Sequence, residues 1–289
     1  MANNGLYKLT ILFIFIITYQ YCSTHINQFN STNPSTSTSS STHVIKHVFI
    51  LAGQSNMAGR GGVVDKTWDG MIPSEGEPKP GKIFRLSGDL KWIDANEPLH
   101  IDIDVNKTCG VGPGMAFANA MMRGDPWRFP VVGLVPCAIG GSGIGEWVRG
   151  GRLYEELRRR AAAAVQGSGG GEIRGVLWFQ GERDTVNISD AELYKERLRK
   201  LFVDLRSDLK SPLLPVIQVA LASGEGPYIE IVRKAQHEIN LPNVITVDAK
   251  GLLLQPDGLH LSTIAQVQVG KMLAHAMLRS NCSRVRFRR

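Results

Sequence analysis

The chain has 289 residues, of which 43% are hydrophobic and 20% are charged. This composition allows a sizeable buried core and excludes an intrinsically disordered protein. The formal net charge is +7, but the basic residues form no long run and no basic platform interleaved with aromatic side chains. The sequence therefore predicts no nucleic-acid partner.

Residues 1–23 have the pattern of a secretory leader. Lys8 precedes a strongly apolar run over 9–17, which is shorter than the ~20 residues that a membrane-spanning helix needs. The residues around Cys22 match a cleavage site poorly, so an uncleaved membrane anchor remains an alternative. We therefore predict a secreted, extracellular protein with no membrane contact, unless this segment anchors it.

Residues 24–43 are rich in Ser and Thr and contain little that could be buried, which predicts a flexible linker. The globular domain is expected over 44–280, followed by a basic tail over 281–289. Four Asn-x-Ser/Thr sequons are consistent with a secreted glycoprotein. They lie at Asn30, Asn106, Asn187 and Asn281. No sequence pattern indicates an oligomeric state.

From position 44 onward, short apolar runs alternate with amphipathic stretches at helical spacing. Five runs have the length and composition of buried strands. They cover 44–52, 131–137, 173–179, 215–221 and 244–247. Because strands that alternate with helices favour a covered parallel sheet, we predict an α/β fold. It is a three-layer α/β/α sandwich around a five-stranded parallel, flavodoxin-like sheet. The Gly- and Pro-rich segment 60–112 is expected to be an insertion of loops, with short strands near 83–86 and Trp92.

Cysteine usage predicts one disulfide and one free thiol. The chain has four cysteines, at positions 22, 109, 137 and 282. Cys22 lies at the expected cleavage site, so three would remain, and their spacing does not choose the pair. No CxxC motif or Cys/His cluster is present, so neither a metal site nor any other cofactor is predicted.

Two segments contain a possible nucleophile and its base. Ser55 stands directly after the first predicted strand, where its hydroxyl could act as a nucleophile at the carboxyl edge of the sheet. The alternative is that Ser55 only caps a helix. His260, in Asp257-Gly-Leu-His260, could take the serine proton while Asp257 orients its ring. The alternative is that this segment is a surface turn.

Two further segments could supply hydrogen-bond donors to the oxyanion of an acyl-transfer intermediate. The Gly-rich loop 138–147 follows the second predicted strand, and Gln180 follows the third. Glu182 and Asp184 are expected to organise their own loop as turn caps or ion-pair partners. Each of these four segments alone is weak evidence for an active site. All four, however, either follow a predicted strand or precede the last helix. Their joint placement favours an enzyme.

These segments resemble the sequence blocks of SGNH hydrolases. They are more closely similar to the sialate O-acetylesterase-like domain of plant and bacterial carbohydrate esterases, carbohydrate esterase family six. The similarity covers roughly residues 44–280. It rests on GQSNM at 53–57, CAIGG at 137–141, QGERD at 180–184 and DGLHL at 257–261, in the expected order.

The resemblance implies a site as well as a fold. The triad that it implies consists of Ser55 as nucleophile, His260 as general base and then acid, and Asp257 as the group that orients the ring. Glu182 remains an alternative partner for His260. The implied oxyanion donors are the backbone N–H groups of Ser55 and Gly141 and a side-chain amide. Gln180 is the best candidate for that amide, because the asparagine of many SGNH enzymes is missing here.

The expected activity is that of a serine esterase without a cofactor. Its expected substrate is acetylated cell-wall carbohydrate such as acetylated xylan, cleaved through an acyl-enzyme. Acetyl is favoured because no long apolar lid is apparent. Two alternatives are a non-catalytic carbohydrate-binding protein on the same fold and a lipase-like esterase of longer acyl chains. Four tryptophans could stack on sugar rings or fill the core. They are Trp68, Trp92, Trp147 and Trp178.

Overall fold

The computed structural model describes residues 46–166 and 169–285, and side chains up to residue 280. The leader and linker expected over 1–23 and 24–43 lie outside the described residues, as does the end of the basic tail. None of the helices in the described part is both long and apolar enough to cross a lipid bilayer.

Seven strands of the described chain form one sheet, and two short strands form a separate hairpin. The sheet strands are β1 (Lys46–Gly53), β4 (Ile83–Leu86), β5 (Trp92–Asp94), β6 (Val132–Pro136), β7 (Gly171–Phe179), β8 (Val216–Ala220) and β9 (Val244–Asp248). The hairpin strands are β2 (Val63–Val64) and β3 (Thr67–Trp68). The order across the sheet is β5-β4-β6-β1-β7-β8-β9.

The five strands predicted from the sequence are parallel. They are β6, β1, β7, β8 and β9. Counted along the chain their order is 2-1-3-4-5, the flavodoxin-like arrangement. This confirms the predicted fold class. The sheet has seven strands and not five, because the short strands predicted near 83–86 and Trp92 join it as β4 and β5. The insertion returns to the sheet, where β4 pairs in parallel with β6 and β5 pairs antiparallel with β4. The added strands supply backbone partners along the edge of β6 that would otherwise be open.

Helices cover both faces of the sheet. They are α1 (Ser55–Ala58), α2 (Pro113–Gly124), α3 (Arg152–Val165), α4 (Ile188–Asp208), α5 (Ile229–His237) and α6 (Thr263–Val285). Phe49 of β1 packs edge-on against Phe117 of α2, which itself packs on α6. Side chains alternate between the two faces along a strand, so Ala52, three positions after Phe49, faces the other side of the sheet. Trp178 of β7 is the partner of Ala52 and faces that same side. There it contacts Phe202 of α4. The last helix continues past residue 281, where the tail was expected to begin.

Two of the four tryptophans belong to the core. Trp147 and Trp178 are buried and meet edge-to-face with ring centroids 5.2 Å apart. They fill the space between the sheet and its helices, so stacking on a sugar is ruled out for both in this structure. Trp68 and Trp92 are partly exposed.

The expected disulfide is not formed by either described cysteine. Cys109 and Cys137 are both buried free thiols. Burial raises the pKa of Cys109 to about 11 and that of Cys137 to about 12. They lie in different surroundings. Cys109 contacts the Arg60 guanidinium, whereas Cys137 directly follows β6 and donates its backbone N–H to Leu51 of β1. The side chain of Cys282 lies outside the described residues.

Candidate active site

A sharp turn after β1 brings Ser55 to the carboxyl edge of the sheet. Gly53 has φ +135°, and a Cβ at this position would lie 2.0 Å from the carbonyl oxygen of Phe179 at the end of β7. The N–H of Gln54 donates to that same oxygen at 2.9 Å. Only glycine fits this close approach of two backbones. The chain therefore turns directly into α1, whose first residue is Ser55.

The structure brings Ser55, His260 and Asp257 together. Ser55 Oγ lies 3.0 Å from His260 Nε2, and His260 Nδ1 lies 2.6 Å from Asp257 Oδ2. Asp257 Oδ1 accepts the N–H groups of Leu259 and His260, both at 2.9 Å. Burial would raise the pKa of Asp257, but these hydrogen bonds and the ring hold it below its usual value. An ionised carboxylate therefore faces the imidazole.

Gly141 and Ser55 present backbone donors to the same space. Gly141 has φ +79°, and a Cβ at this position would meet nothing within 4 Å. Both residues line one pocket. Among residues 46–166 and 169–280, the N–H groups of Ser55 and Gly141 have no acceptor. Two unpaired donors beside a nucleophile can stabilise an oxyanion.

Gln180 does not reach this pocket, which corrects its predicted role as an oxyanion donor. Its side chain is fully buried. Its amide nitrogen is 2.9 Å from the carbonyl oxygen of Ser142, 2.5 Å from Asp184 Oδ2 and 3.2 Å from Gln54 Oε1. The amide hydrogens are directed to these acceptors. Gln180 therefore holds the Gly-rich loop 138–147 in place.

Glu182, the alternative acid, is not the partner of His260. Its buried carboxylate accepts the side-chain amide of Asn56 at 2.7 Å. Asn56 in turn accepts the N–H of Leu261 at 2.9 Å. Burial raises the pKa of Glu182 to about 7, although the bond from Asn56 opposes this rise. Sequence reasoning gave no role to Asn56. The available signal was that Asn56 is a polar residue directly after Ser55, in a turn where a buried side chain needs a hydrogen-bond partner.

Asp184 has a structural role, but its carboxylate binds a second loop and not only its own. The carboxylate oxygens lie 3.1 and 3.0 Å from the backbone nitrogen of Ile144, which donates its N–H to them. Burial raises the pKa of Asp184 to about 6. The carboxylate thus joins the loop after β7 to the Gly-rich loop 138–147.

Ser55 and His260 open into a pocket of about 180 Å³. Its walls also include Arg60, Lys107, Gly141, Glu225 and Leu259. A larger cavity of about 610 Å³ lies beside the first residues of β7. That is the opposite end of β7 from Phe179, so the larger cavity is remote from the hydroxyl of Ser55. In the described residues, no three His, Cys, Asp or Glu side chains are grouped to hold a metal ion.

Comparison with known proteins identifies the family of this chain. The family model described as carbohydrate esterase, sialic acid-specific acetylesterase, matches residues 45–279. The probable carbohydrate esterase At4g34215 of Arabidopsis thaliana is 53% identical over 241 residues, covering 81% of this chain and 91% of that protein. The X-ray structure of the Arabidopsis thaliana protein AT4G34215 matches with a TM-score of 0.78 and 52% identity, covering 82% of this chain and 99% of that one.

Two more distant structures share the fold. The crystal structure of NanS matches with a TM-score of 0.63 and 18% identity, covering 81% of this chain and 97% of that one. XAC1771 of Xanthomonas citri, described as a novel carbohydrate acetylesterase, matches with a TM-score of 0.54 and 18% identity. The match covers 80% of this chain and 55% of XAC1771. At these identities the likeness shows the fold alone.

The fold and these matches define a hydrolase that acts on ester bonds. The chain belongs to the carbohydrate esterase family of sialic acid-specific acetylesterases, whose model spans nearly all of the described residues. The family resemblance drawn from four sequence blocks is thereby confirmed, and with it the expectation of a carbohydrate esterase.

Proposed function

We propose that this chain removes O-acetyl groups from carbohydrate through an acyl-enzyme on Ser55. The observation that carries the proposal is the 3.0 Å separation between Ser55 Oγ and His260 Nε2, with Asp257 on the other ring nitrogen. A serine hydroxyl is a weak nucleophile until an adjacent base takes its proton. A carboxylate is needed to orient that base and to stabilise the imidazolium.

In the first half-reaction, Ser55 Oγ bonds to the carbonyl carbon of the acetyl ester while its proton passes to His260 Nε2. The resulting tetrahedral intermediate collapses when the bond from carbon to the sugar oxygen breaks. His260 returns the proton to that oxygen, and the sugar leaves with a free hydroxyl. Asp257 stabilises the imidazolium that exists between these two transfers.

In the second half-reaction, water replaces the sugar. His260 Nε2 takes a proton from the water as its oxygen bonds to the acetyl carbon. The bond to Ser55 Oγ then breaks, the serine regains its proton from His260, and acetic acid leaves and ionises to acetate in the solvent. All proton transfers therefore pass through one ring nitrogen.

The developing negative charge on the carbonyl oxygen is stabilised by two backbone donors in this proposal. They are the N–H groups of Ser55 and Gly141, which line the pocket and lack acceptors among the described residues. Donors held in place before the reaction cost no reorganisation, and one such donor is worth about 10²–10³ in kcat.

The size and polarity of the pocket favour a short acyl group. A volume of about 180 Å³ is small, and Arg60, Lys107 and Glu225 contribute charged walls. A long acyl chain would need an extended apolar groove. These features support acetyl over the longer chains of a lipase-like esterase. The close serine–histidine contact supports catalysis over carbohydrate binding alone.

The proposed substrate is extracellular cell-wall polysaccharide. The leader pattern over 1–23 supports a secretory route. Two of the sequons, at Asn106 and Asn187, present exposed side chains, as glycosylation requires.

The proposal is tested by comparing the purified chain with Ser55→Ala. The substrates are 4-nitrophenyl acetate, 4-nitrophenyl palmitate and a panel of acetylated polysaccharides that includes acetylated xylan. We expect the acetyl ester to be the better small substrate, and Ser55→Ala to lower kcat by roughly 10³-fold or more. Equal turnover by both proteins would disprove the nucleophile. Polysaccharide binding without acetate release would favour the non-catalytic alternative.

A further inference from the structure

A buried ion pair lies against the backbone that leads to Gly141. Arg60 and Asp104 have side chains that are only 6% and 3% exposed, and Arg60 Nη2 donates to Asp104 Oδ2. The same carboxylate oxygen accepts the backbone N–H of Gly140 at 3.1 Å. Arg60 Nη1 donates to the carbonyl oxygen of Gly59 at 2.8 Å, directly after α1. The ion pair therefore joins the end of α1 to the Gly-rich loop 138–147.

The loop packs so closely on this ion pair that Gly140 has no room for a side chain. A Cβ at Gly140 would lie 2.5 Å from Arg60 Nη2 and 2.9 Å from Asp104 Oδ2. On the far side of Gly141, the carbonyl oxygen of Ser142 accepts the amide of Gln180 at 2.9 Å. The residues on either side of Gly141 are thus both held by buried side chains.

Stability alone does not account for a buried ion pair at this place. Removing two charges from water is costly, and apolar side chains of similar volume are often as stable or more stable. A backbone N–H that is held in place, by contrast, stabilises the negative charge that develops on an oxyanion during the reaction.

We propose that Asp104, with its charge balanced by Arg60, is a positioning residue that fixes the Gly141 N–H for the oxyanion. This inference rests on the proposed function. Asp104 touches neither Ser55 nor the reacting atoms, and acts through the backbone of Gly140.

The same region of the chain offers a matched control. Asp102 Oδ1 accepts Arg85 at 2.6 Å, and Asp102 Oδ2 accepts the backbone N–H of Gly88 at 2.9 Å. Asp102 thus also joins an arginine to a glycine N–H, but through two separate oxygens and with its side chain 35% exposed. It holds the turn after β4 instead of the loop beside Ser55.

The test compares Asp104→Ala, Asp104→Asn and Asp102→Ala with the wild type. The measurements are kcat and KM for 4-nitrophenyl acetate, Tm, and the inhibition constant of methylboronic acid. The boron bonds to Ser55 Oγ as the serine proton passes to His260 Nε2, and becomes tetrahedral like the reaction intermediate. A merely structural role would lower Tm without changing kcat or the affinity for the boronic acid.

We expect Asp104→Ala to lower kcat roughly 10²-fold and to weaken inhibition by methylboronic acid by a similar factor, while KM changes less than about threefold. Asp104→Asn keeps an oxygen that accepts the Gly140 N–H, and should recover about tenfold of that loss. Asp102→Ala should lower Tm and leave kcat and inhibition unchanged.

A second variant covers the case in which Asp104→Ala fails to fold because Arg60 is left buried and unpaired. The double variant Arg60→Met/Asp104→Leu replaces the pair by apolar side chains. It should fold and show the same weakening of methylboronic acid inhibition. Wild-type kcat and inhibition in either folded variant, or an equal loss in Asp102→Ala, would overturn the inference. Ser55→Ala is assayed alongside, because turnover that survives it would refute the proposed function itself.

Discussion

The side-chain amide of Asn56 donates to the buried carboxylate of Glu182 at 2.7 Å. Asn56 follows the proposed nucleophile, and through Leu261 it also holds the segment that carries His260. The second oxygen of Glu182 has no partner among the described residues. A buried carboxyl with one neutral donor and no cation is costly to ionise, which is why its pKa is raised to about 7.

The first prediction concerns the stability cost of ionising Glu182. The folded pKa of about 7 lies above the ordinary value of 4.5, so the folded state holds the proton more tightly than the unfolded state. Its contribution to stability is therefore complete below pH 4.5 and is lost as pH rises towards 7. Glu182→Gln cannot ionise, so its free energy of unfolding relative to wild type should rise over this window, by on the order of 1–3 kcal/mol.

Urea unfolding of both proteins at pH 4.5 and pH 8 measures this difference. Asp204→Asn, which changes a carboxylate on α4 remote from Glu182, serves as the control and should not show the same rise. A difference between wild type and Glu182→Gln that stays constant with pH would contradict the assigned direction.

The second prediction separates the roles of the two acids near His260. Asp257→Asn removes the charge that faces the imidazole, and we expect kcat to fall by about 10³–10⁴-fold. Glu182→Gln keeps an acceptor for Asn56, so its kcat should fall less than about tenfold. Steady-state hydrolysis of 4-nitrophenyl acetate at pH 8 distinguishes them. The reverse order would make Glu182 the orienting acid.

The third prediction concerns Gly53, in the turn that precedes Ser55. An alanine Cβ at Gly53 would lie 2.0 Å from a backbone oxygen that cannot move aside. Gly53→Ala should therefore lower the free energy of unfolding by about 3 kcal/mol or more. Gly150 also has positive φ, +83°, but a Cβ there meets nothing within 4 Å. Gly150→Ala should cost only about 1–2 kcal/mol and serves as the control in thermal melts. Equal losses in the two variants would rule out the clash with Phe179.

The fourth prediction concerns the free thiols. Cys109 and Cys137 are buried, and burial raises both pKa values to about 11 or above. Since the thiolate is the reactive form, iodoacetamide should modify neither residue in the native protein at pH 8. Both should react fully in urea without a reductant. Peptide mass spectrometry after labelling provides the measurement, and a need for reductant would indicate that one of them forms a disulfide.

The central sheet was predictable because its strands are short, continuous apolar runs, as in the segment that forms β1. The addition of β4 and β5 to the same sheet was not predictable, because strands of four and three residues are too short for their pattern to show which strand they pair with. A serine, a histidine and an aspartate were identifiable by chemistry and order. Gln180 was assigned wrongly because a sequence shows that an amide is present but not which acceptors face it.

Contacts between residues that are far apart in the sequence could not be predicted either. Arg60 and Asp104 are 44 positions apart, and both lie in parts of the segment 60–112 that were predicted to be loops. Asn56 meets Glu182 across 126 positions. Nothing in the local pattern of any of these residues indicates its partner. Asn56 and Glu182, for example, follow β1 and β7, which become neighbours only in the folded sheet.

Because of the contact between Gly53 and the carbonyl of Phe179, hydrolytic activity depends on the pairing of β1 with β7 during folding. Ser55, the proposed nucleophile, acquires its position only when β1 and β7 have paired up to Gly53 and Phe179 at their carboxyl ends. A refolding intermediate with helices formed but these strands apart would hold every reactive group and still be inert. Recovery of hydrolysis during refolding is therefore a direct signal that the middle of the sheet has closed.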